Sequence, residues 1–226
     1  KQVSANTSFA ITGLSPGTGY RFKVLAVNSA GSSSYSNTVS LTTLAVAASA
    51  PRNLNSQDVT FSSVRLAWQA PLSDGGSAIT DYKVEQSTDG ITWTTIQKSA
   101  STNLSLTVTG LFPAKSYQFR VSAINSIGLG ATSAAITITT LATTPSAPRS
   151  FVATQITANS LLLSWSAPIT DGGSQITEYR IETSSDGGDN WTQLTRASLT
   201  GTSQNVSGLS PAKNYVFRVT AINSVG

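Results

Sequence analysis

The sequence predicts an all-β chain made of tandem seven-stranded antiparallel β-sandwiches, with a partial copy at each end. Three observations carry that prediction. One block of sequence recurs about every 97 residues. Within each block the apolar residues alternate with period two. Gly, Pro, Asp and Ser fall between the short apolar runs at the spacing of sandwich turns, and no amphipathic helix of useful length interrupts them.

The repeat is found first, because it overrides any domain count taken from length. Gly13-Leu14-Ser15-Pro16 precedes Tyr20, Gly110-Leu111-Phe112-Pro113 precedes Tyr117, and Gly208-Leu209-Ser210-Pro211 precedes Tyr215. Each runs on into Ala-Val/Ile-Asn-Ser-x-Gly, at Ala26–Gly31, Ala123–Gly128 and Ala221–Gly226. The offsets are 97 and then 98 residues, the extra residue entering where Asp89-Gly90 becomes Asp186-Gly187-Gly188. Other landmarks occur twice. Ala50-Pro51-Arg52 matches Ala147-Pro148-Arg149, Leu66-Ala67-Trp68 matches Leu163-Ser164-Trp165, and Asp74-Gly75-Gly76-Ser77 matches Asp171-Gly172-Gly173-Ser174. Tyr82-Lys83-Val84-Glu85 matches Tyr179-Arg180-Ile181-Glu182, and Trp93 matches Trp191. The domains expected are therefore 1–44, holding strands E to G of one copy; 51–141, a complete copy; and 148–226, a copy without strand G. Linkers 45–50 and 142–147 join them, and the second, with Pro145 inside it and Pro148 after it, is expected to be the stiffer.

The alternation is plain in Tyr117-Gln118-Phe119-Arg120-Val121-Ser122-Ala123, where Tyr, Phe, Val and Ala share one face. That is a strand with one buried side. Val64–Trp68 and Leu104–Val108 read the same way. In the first segment, Ser8–Asn28 duplicates strands E and F, and Tyr35–Leu44 reads as strand G. A domain of this size buries only about 60–65% of its extended-chain surface. The aromatics carry much of that, at about 150–250 Å² each.

Composition narrows the function. The chain has 226 residues and is 39% hydrophobic, with no apolar run near the ~20 residues that span a bilayer. Lys1-Gln2-Val3-Ser4-Ala5 opens no signal-peptide core. Charged residues make up only 11%, against about 25% in average soluble proteins. A Ser/Thr/Asn surface of this kind suits a secreted or cell-surface protein. Cysteine, histidine and methionine are absent. Disulfides, thiolate metal sites and imidazole acid–base chemistry are thereby excluded. No catalytic, cofactor or metal site is expected, and no cofactor. The net charge of +4 comes mostly from Lys1, Arg21 and Lys23, since the later segments are close to balance. Without a basic stripe interleaved with aromatics, nucleic acid is not an expected partner.

At Pro51, Trp68, Tyr82, Leu111, Pro113, Tyr117, Ala123, Asn125 and Gly128 the sequence resembles the fibronectin type III domain, an immunoglobulin-like sandwich. Pro148, Trp165, Tyr179, Leu209, Pro211, Tyr215, Ala221, Asn223 and Gly226 repeat the resemblance. It implies Trp68 on strand B and Tyr82 on strand C, packed across the core. It also implies a tyrosine corner at Leu111 and Tyr117, in which the phenol bonds back to nearby backbone. The near-copying of whole modules most resembles bacterial secreted or surface proteins, or phage virion proteins.

Several residues invite a sharper reading. Asp74-Gly75-Gly76-Ser77 and its copy lack the helix and lysine of a phosphate loop and the spaced oxygens of a calcium loop. A B–C turn with positive φ at glycine is the reading preferred. Asp58, Asp81, Glu85 and Asp89 lie on turns and outward strand positions, with Lys83 and Arg65 as neighbours. They are expected to be solvated rather than paired in a cleft. Trp93 and Trp191, placed on strand C′, are expected to pack on their own sheet rather than stack on a sugar. The F–G loop, Asn125-Ser126-Ile127-Gly128-Leu129-Gly130, carries no Arg-Gly-Asp. Asn6, Asn103, Asn190 and Asn205 begin glycosylation sequons that matter only in a eukaryotic secretory pathway.

A sandwich without strand G has a bare edge, open to strand donation or self-association. A longer natural chain is the simpler expectation, because a half-sandwich buries too little apolar surface to fold alone. The function expected is a non-catalytic extracellular spacer or adhesion stalk, each copy about 30 Å long. Its contacts would be with proteins, cell surfaces or glycans. An accessory spacer of a secreted polysaccharide-degrading enzyme and a subunit of a surface filament are the alternatives. Flanking sequence separates them: a wall anchor favours the first, a hydrolase domain the second.

Overall fold

The computed structural model describes residues 6–194 and 199–226, and every described element is a strand. Short strands open the chain: β1 (Gly19–Phe22), β2 (Val27–Asn28), β3 (Gly31–Ser32) and β4 (Val39–Thr42). Then follow β5 (Arg52–Gln57), β6 (Ser63–Gln69), β7 (Asp81–Ser87), β8 (Thr94–Thr95), β9 (Ser105–Thr109), β10 (Ser116–Asn125), β11 (Gly128–Thr132) and β12 (Ile136–Thr139). The last are β13 (Arg149–Thr154), β14 (Ser160–Ser166), β15 (Glu178–Ser184), β16 (Thr192–Gln193), β17 (Ser203–Ser207) and β18 (Val216–Ile222).

The sheets take the orders of a sandwich. β5-β6-β9 forms one sheet of the middle copy, and β11-β10-β7-β8, with β12 on β10, forms the other. The later copy has β13-β14-β17 and β16-β15-β18. In spatial order these are strands A, B, E and G, F, C, C′ in the middle copy, and A, B, E and C′, C, F in the later one. Strand G of the middle copy is split into β11 and β12, and β10 shifts register between Ser122 and Ile124 where β11 pairs with it. The chain divides into two compact units. One takes in residues up to Gln57 with Leu66–Leu106 and Gln118–Thr137; the other comprises Asp58–Arg65, Thr107–Tyr117 and Ile138–Gly226.

In the first unit, β7 pairs antiparallel with β10 from Asp81↔Ile124 to Ser87↔Gln118. Alternate residues Tyr82 and Val84 of β7 and Phe119, Val121 and Ala123 of β10 are buried on the same face. Trp68 of β6 meets Tyr82 edge to face, their rings 5.5 Å apart, which places these aromatics across the core as the resemblance implies. Such a pair contributes about 0.5–1.5 kcal/mol beyond its area. The opening segment has less to pair with. β1 pairs with β4 from Gly19↔Thr42 to Phe22↔Val39. The E-like stretch at Ser8–Ile11 forms no strand, and Phe9 and Ile11 are exposed. The reason is pairing: β17 lies beside β14, and no B-like strand precedes this segment among the described residues. The expected strand F shortens to β1 and β2 for the same reason, since no C-like strand pairs with it among the described residues.

In the second unit, Leu161, Leu163 and Trp165 of β14 are buried with Tyr179 and Ile181 of β15, Val206 of β17 and Ala221 of β18. Trp165 and Tyr179 repeat the edge-to-face contact at 5.4 Å. The tyrosine corner is present in all three segments. Tyr117 Oη accepts the Phe112 N–H at 2.9 Å, Tyr215 that of Ser210 at 3.0 Å, and, in the first unit, Tyr20 that of Ser15 at 2.8 Å.

Leu163, 1% exposed, tests this core. Leu163→Ala is expected to destabilise the Trp165 sandwich by about 2–5 kcal/mol, read as a lower urea midpoint with an unchanged slope. A midpoint within error of the parent would contradict the packing described.

Candidate functional site

The most constructed feature of each unit is a joint where linker, B–C loop and F–G loop meet. In the first unit the Val46 N–H donates to Gly75 O at 2.8 Å, and the Ser49 N–H to Ser73 O at 2.9 Å. Asn125 stands at the centre and is 3% exposed. Its Nδ2 donates to Val46 O at 2.8 Å and to Asp74 O at 2.7 Å. Its Oδ1 accepts the Ile127 and Gly128 N–H groups at 3.0 and 3.2 Å. One side chain thus uses both donors and both acceptor directions of its amide. Ala48, also buried, accepts the Ala131 N–H of β11 through its carbonyl at 3.1 Å.

The second unit repeats the arrangement at the equivalent residues. The Thr143 N–H donates to Gly172 O at 2.8 Å, and the Ser146 N–H to Thr170 O at 3.0 Å. Asn223 Nδ2 donates to Thr143 O and to Asp171 O, both at 2.7 Å. Its Oδ1 accepts from Val225 at 2.8 Å and Gly226 at 3.2 Å. Both linkers are therefore pinned by the same bonds. Sequence reasoning placed Asn125 and Asn223 in the repeated signature without a role. The signal available was their recurrence beside a recurring Asp-Gly-Gly.

The Asp-Gly-Gly-Ser loops are turns, as expected. Gly75 and Gly76 have φ of 78° and 77°, Gly172 and Gly173 of 74° and 79°. Each Asp folds back on its own turn: Asp74 Oδ1 accepts the Gly76 N–H at 2.8 Å, and Asp171 Oδ1 that of Gly173 at 2.9 Å. The glycines also permit close approach. A Cβ on Gly75 would collide with Val46 O, and one on Gly172 with Thr143 O. Gly76 lies on the Pro16–Gly17 corner, and Gly173 on Pro113–Ala114.

The carboxylates divide. Asp58 is exposed, 3.9 Å from Arg65. Asp81 pairs with Lys98 and accepts the Ser101 N–H. Asp89 caps its turn, accepting the Ile91 and Thr92 N–H groups and the Ser87 hydroxyl, each at 2.8 Å, which holds it far below the usual carboxylate range. Glu85 corrects the sequence reading: it is 7% exposed, not solvated. It accepts from Lys83 Nζ at 2.6 Å and Arg120 Nε at 2.9 Å. Burial acts to raise its pKa, but the bonds and charges of Lys83 and Arg120 outweigh burial and hold it below its ordinary value. Arg120 in turn lies over the Trp93 ring, 4.1 Å from its centre. Glu182, Arg218 and Trp191 repeat this, with bond and stacking distances of 2.7 and 4.2 Å. The half-buried Trp93 and Trp191 thus pack on their own sheets, immediately before β8 and β16 rather than within them. Among the sequons, Asn103 is exposed, Asn205 lies on β17, and Asn190 Nδ2 bonds Asp186 Oδ2 at 2.8 Å. Among the described residues no cluster of three metal-ligating side chains forms, and no helix is long and apolar enough to cross a membrane.

Two outcomes follow. Asn125→Ala leaves buried carbonyls and N–H groups unpaired, at about 1–3 kcal/mol each before relaxation. Proteolysis between residues 44 and 50 is expected to accelerate by roughly tenfold or more, whereas an unchanged rate would deny Asn125 its role. Glu85→Gln is expected to cost about 1–3 kcal/mol at pH 7. Glu85 is depressed in the folded state, so its contribution is present above its ordinary value of 4.5 and fades as pH falls through the lower folded value. The stability gap between parent and variant should therefore narrow below about pH 4, as pH-resolved urea melts would show. A gap that stayed constant would place Glu85 outside the ion network.

Comparison with known proteins matches this architecture. The model of the fibronectin type III domain matches residues 1–42, 49–139 and 146–226. The chain is 31% identical to titin of Drosophila melanogaster over 226 residues, covering 97% of this chain and 1% of titin. It is 33% identical to human fibronectin type-III domain-containing protein 3A, covering 94% of this chain and 17% of that protein. It is 32% identical to receptor-type tyrosine-protein phosphatase S of Gallus gallus, covering 100% of this chain and 15% of that protein. The chain thus spans less than a fifth of the length of these relatives. They are animal proteins, and the expected likeness to bacterial or phage proteins draws no support from them. On the family match over three consecutive segments, together with the sheets and corners described, this chain belongs to the fibronectin type III domain family.

Proposed function

We propose that the chain is a non-catalytic structural spacer, a run of fibronectin type III modules within a longer surface or secreted protein. Its modules would occupy 1–44, 51–141 and 148–226, joined at 45–50 and 142–147. The observation that carries this reading is the joint, built twice from the same residues and the same bonds. A flexible tether needs no such pinning, whereas a spacer that must hold neighbouring modules does. The carboxylates support the non-catalytic half. They cap turns or sit in ion pairs, and Glu85 has both oxygens engaged by cations. Partners would be proteins, cell surfaces or glycans met through module faces. An extracellular location is supported by the low, 11% charged composition.

Nuclear spin relaxation tests the spacer reading. Amides of 51–141 and 148–226 are expected to report one common rotational correlation time, and Asn223→Ala is expected to separate them. Independent tumbling in the parent chain would sink the reading. Hydrolysis of any glycan or peptide by the chain would sink its non-catalytic half.

A further inference from the structure

We propose that the exposed corner Ser210-Pro211-Ala212-Lys213 is a docking site for the Asp-Gly-Gly-Ser loop of a further module of this same kind. The corner occurs three times with one backbone shape. Its third residue has positive φ in each: 59° at Gly17, 48° at Ala114 and 55° at Ala212. Alanine rarely adopts this left-handed backbone, so the shape is imposed rather than casual. The tyrosine corner imposes it, with Tyr215 Oη on the Ser210 N–H as Tyr117 is on Phe112.

Two of the three corners are occupied, both by the same partner. In the first unit Gly76 rests on Pro16–Gly17, and in the second Gly173 rests on Pro113–Ala114, the position of its missing side chain falling 2.5 Å from Ala114 Cβ. The fit is steric. Each loop Asp is folded onto its own turn, so a bare glycine backbone faces the corner. Pro16 and Pro113 are half-buried under their loops, while Pro211 is exposed. The third corner therefore has the same proline, positive φ and tyrosine bond as its occupied equivalents, with its proline exposed. The contact is small, so it needs the high effective concentration of a tethered or clustered module.

This rests on the spacer reading, and the test separates the two. Gly226 is equivalent to Gly128, so a second copy of Leu129–Gly226 fused after Gly226 continues the repeat. The expected result is a nuclear Overhauser contact between the Ala212 methyl and the Gly173 α-protons of the appended copy. It should match the contact of Ala114 with the original Gly173. The Ala212 amide should gain roughly tenfold protection from exchange, lost again when the appended copy carries Gly173→Leu. If the appended Trp165 shows its native shift and the Ala114 contact is present while Ala212 stays unchanged, the inference fails and the spacer reading stands. Loss of the Ala114 contact as well overturns both. A concentration-dependent Ala212 contact in the unextended chain supports docking and identifies a second chain as its source.

Discussion

Everything distinctive about this chain depends on a carboxamide that is buried and fully bonded. Where a linker crosses the end of a sandwich, its backbone carbonyls lose water and must find other donors. Asn125 answers this for Val46 and Asp74, and Asn223 for Thr143 and Asp171. Because the amide oxygen of each also closes the F–G turn, the turn, the loop and the linker are tied through a single side chain. An ionised aspartate in its place would offer no donor to those carbonyls.

That bonding works only because the rest of the sandwich is stiff. β10 carries the F–G turn at its end, and its buried face is filled by Phe119, Val121 and Ala123. The Trp68–Tyr82 and Trp165–Tyr179 contacts hold β6 to β7 and β14 to β15 near the same end. The tyrosine corners set the turns on which the glycine loops rest. A core of alternating apolar residues, a corner held by one phenol and a joint held by one carboxamide form a sequence of dependencies, and the two later copies both show it.

The outer face of the C–F sheet shows how few charges this surface uses. Glu85 bonds Lys83 and Arg120, and Arg120 covers Trp93. The arginine head lies over an aromatic ring while its Nε bonds a buried carboxylate. Arg218 lies over Trp191 and bonds the half-buried Glu182 in the same way, with a more open side chain, 51% exposed against 31% for Arg120. Trp93 and Trp191 thus lie against their own sheets, as the sequence predicts.

The sequence by itself determined the strands, their buried faces, the repeat and the corners. Those features are local: period two, a tyrosine five residues after the turn amide it bonds, glycines where φ must be positive. It also carried the aromatic core, because that pattern belongs to the family as a whole. Only the tertiary structure decided the joint, the burial of Glu85 and the loss of strand at Ser8–Ile11. Asn125 bonds a carbonyl 79 residues away and another 51 away, and Glu85 meets Arg120 across 35 residues. A short strand exists only where another strand lies beside it. Interactions between residues so far apart leave no local pattern, so they become visible only when the sheets bring their ends together.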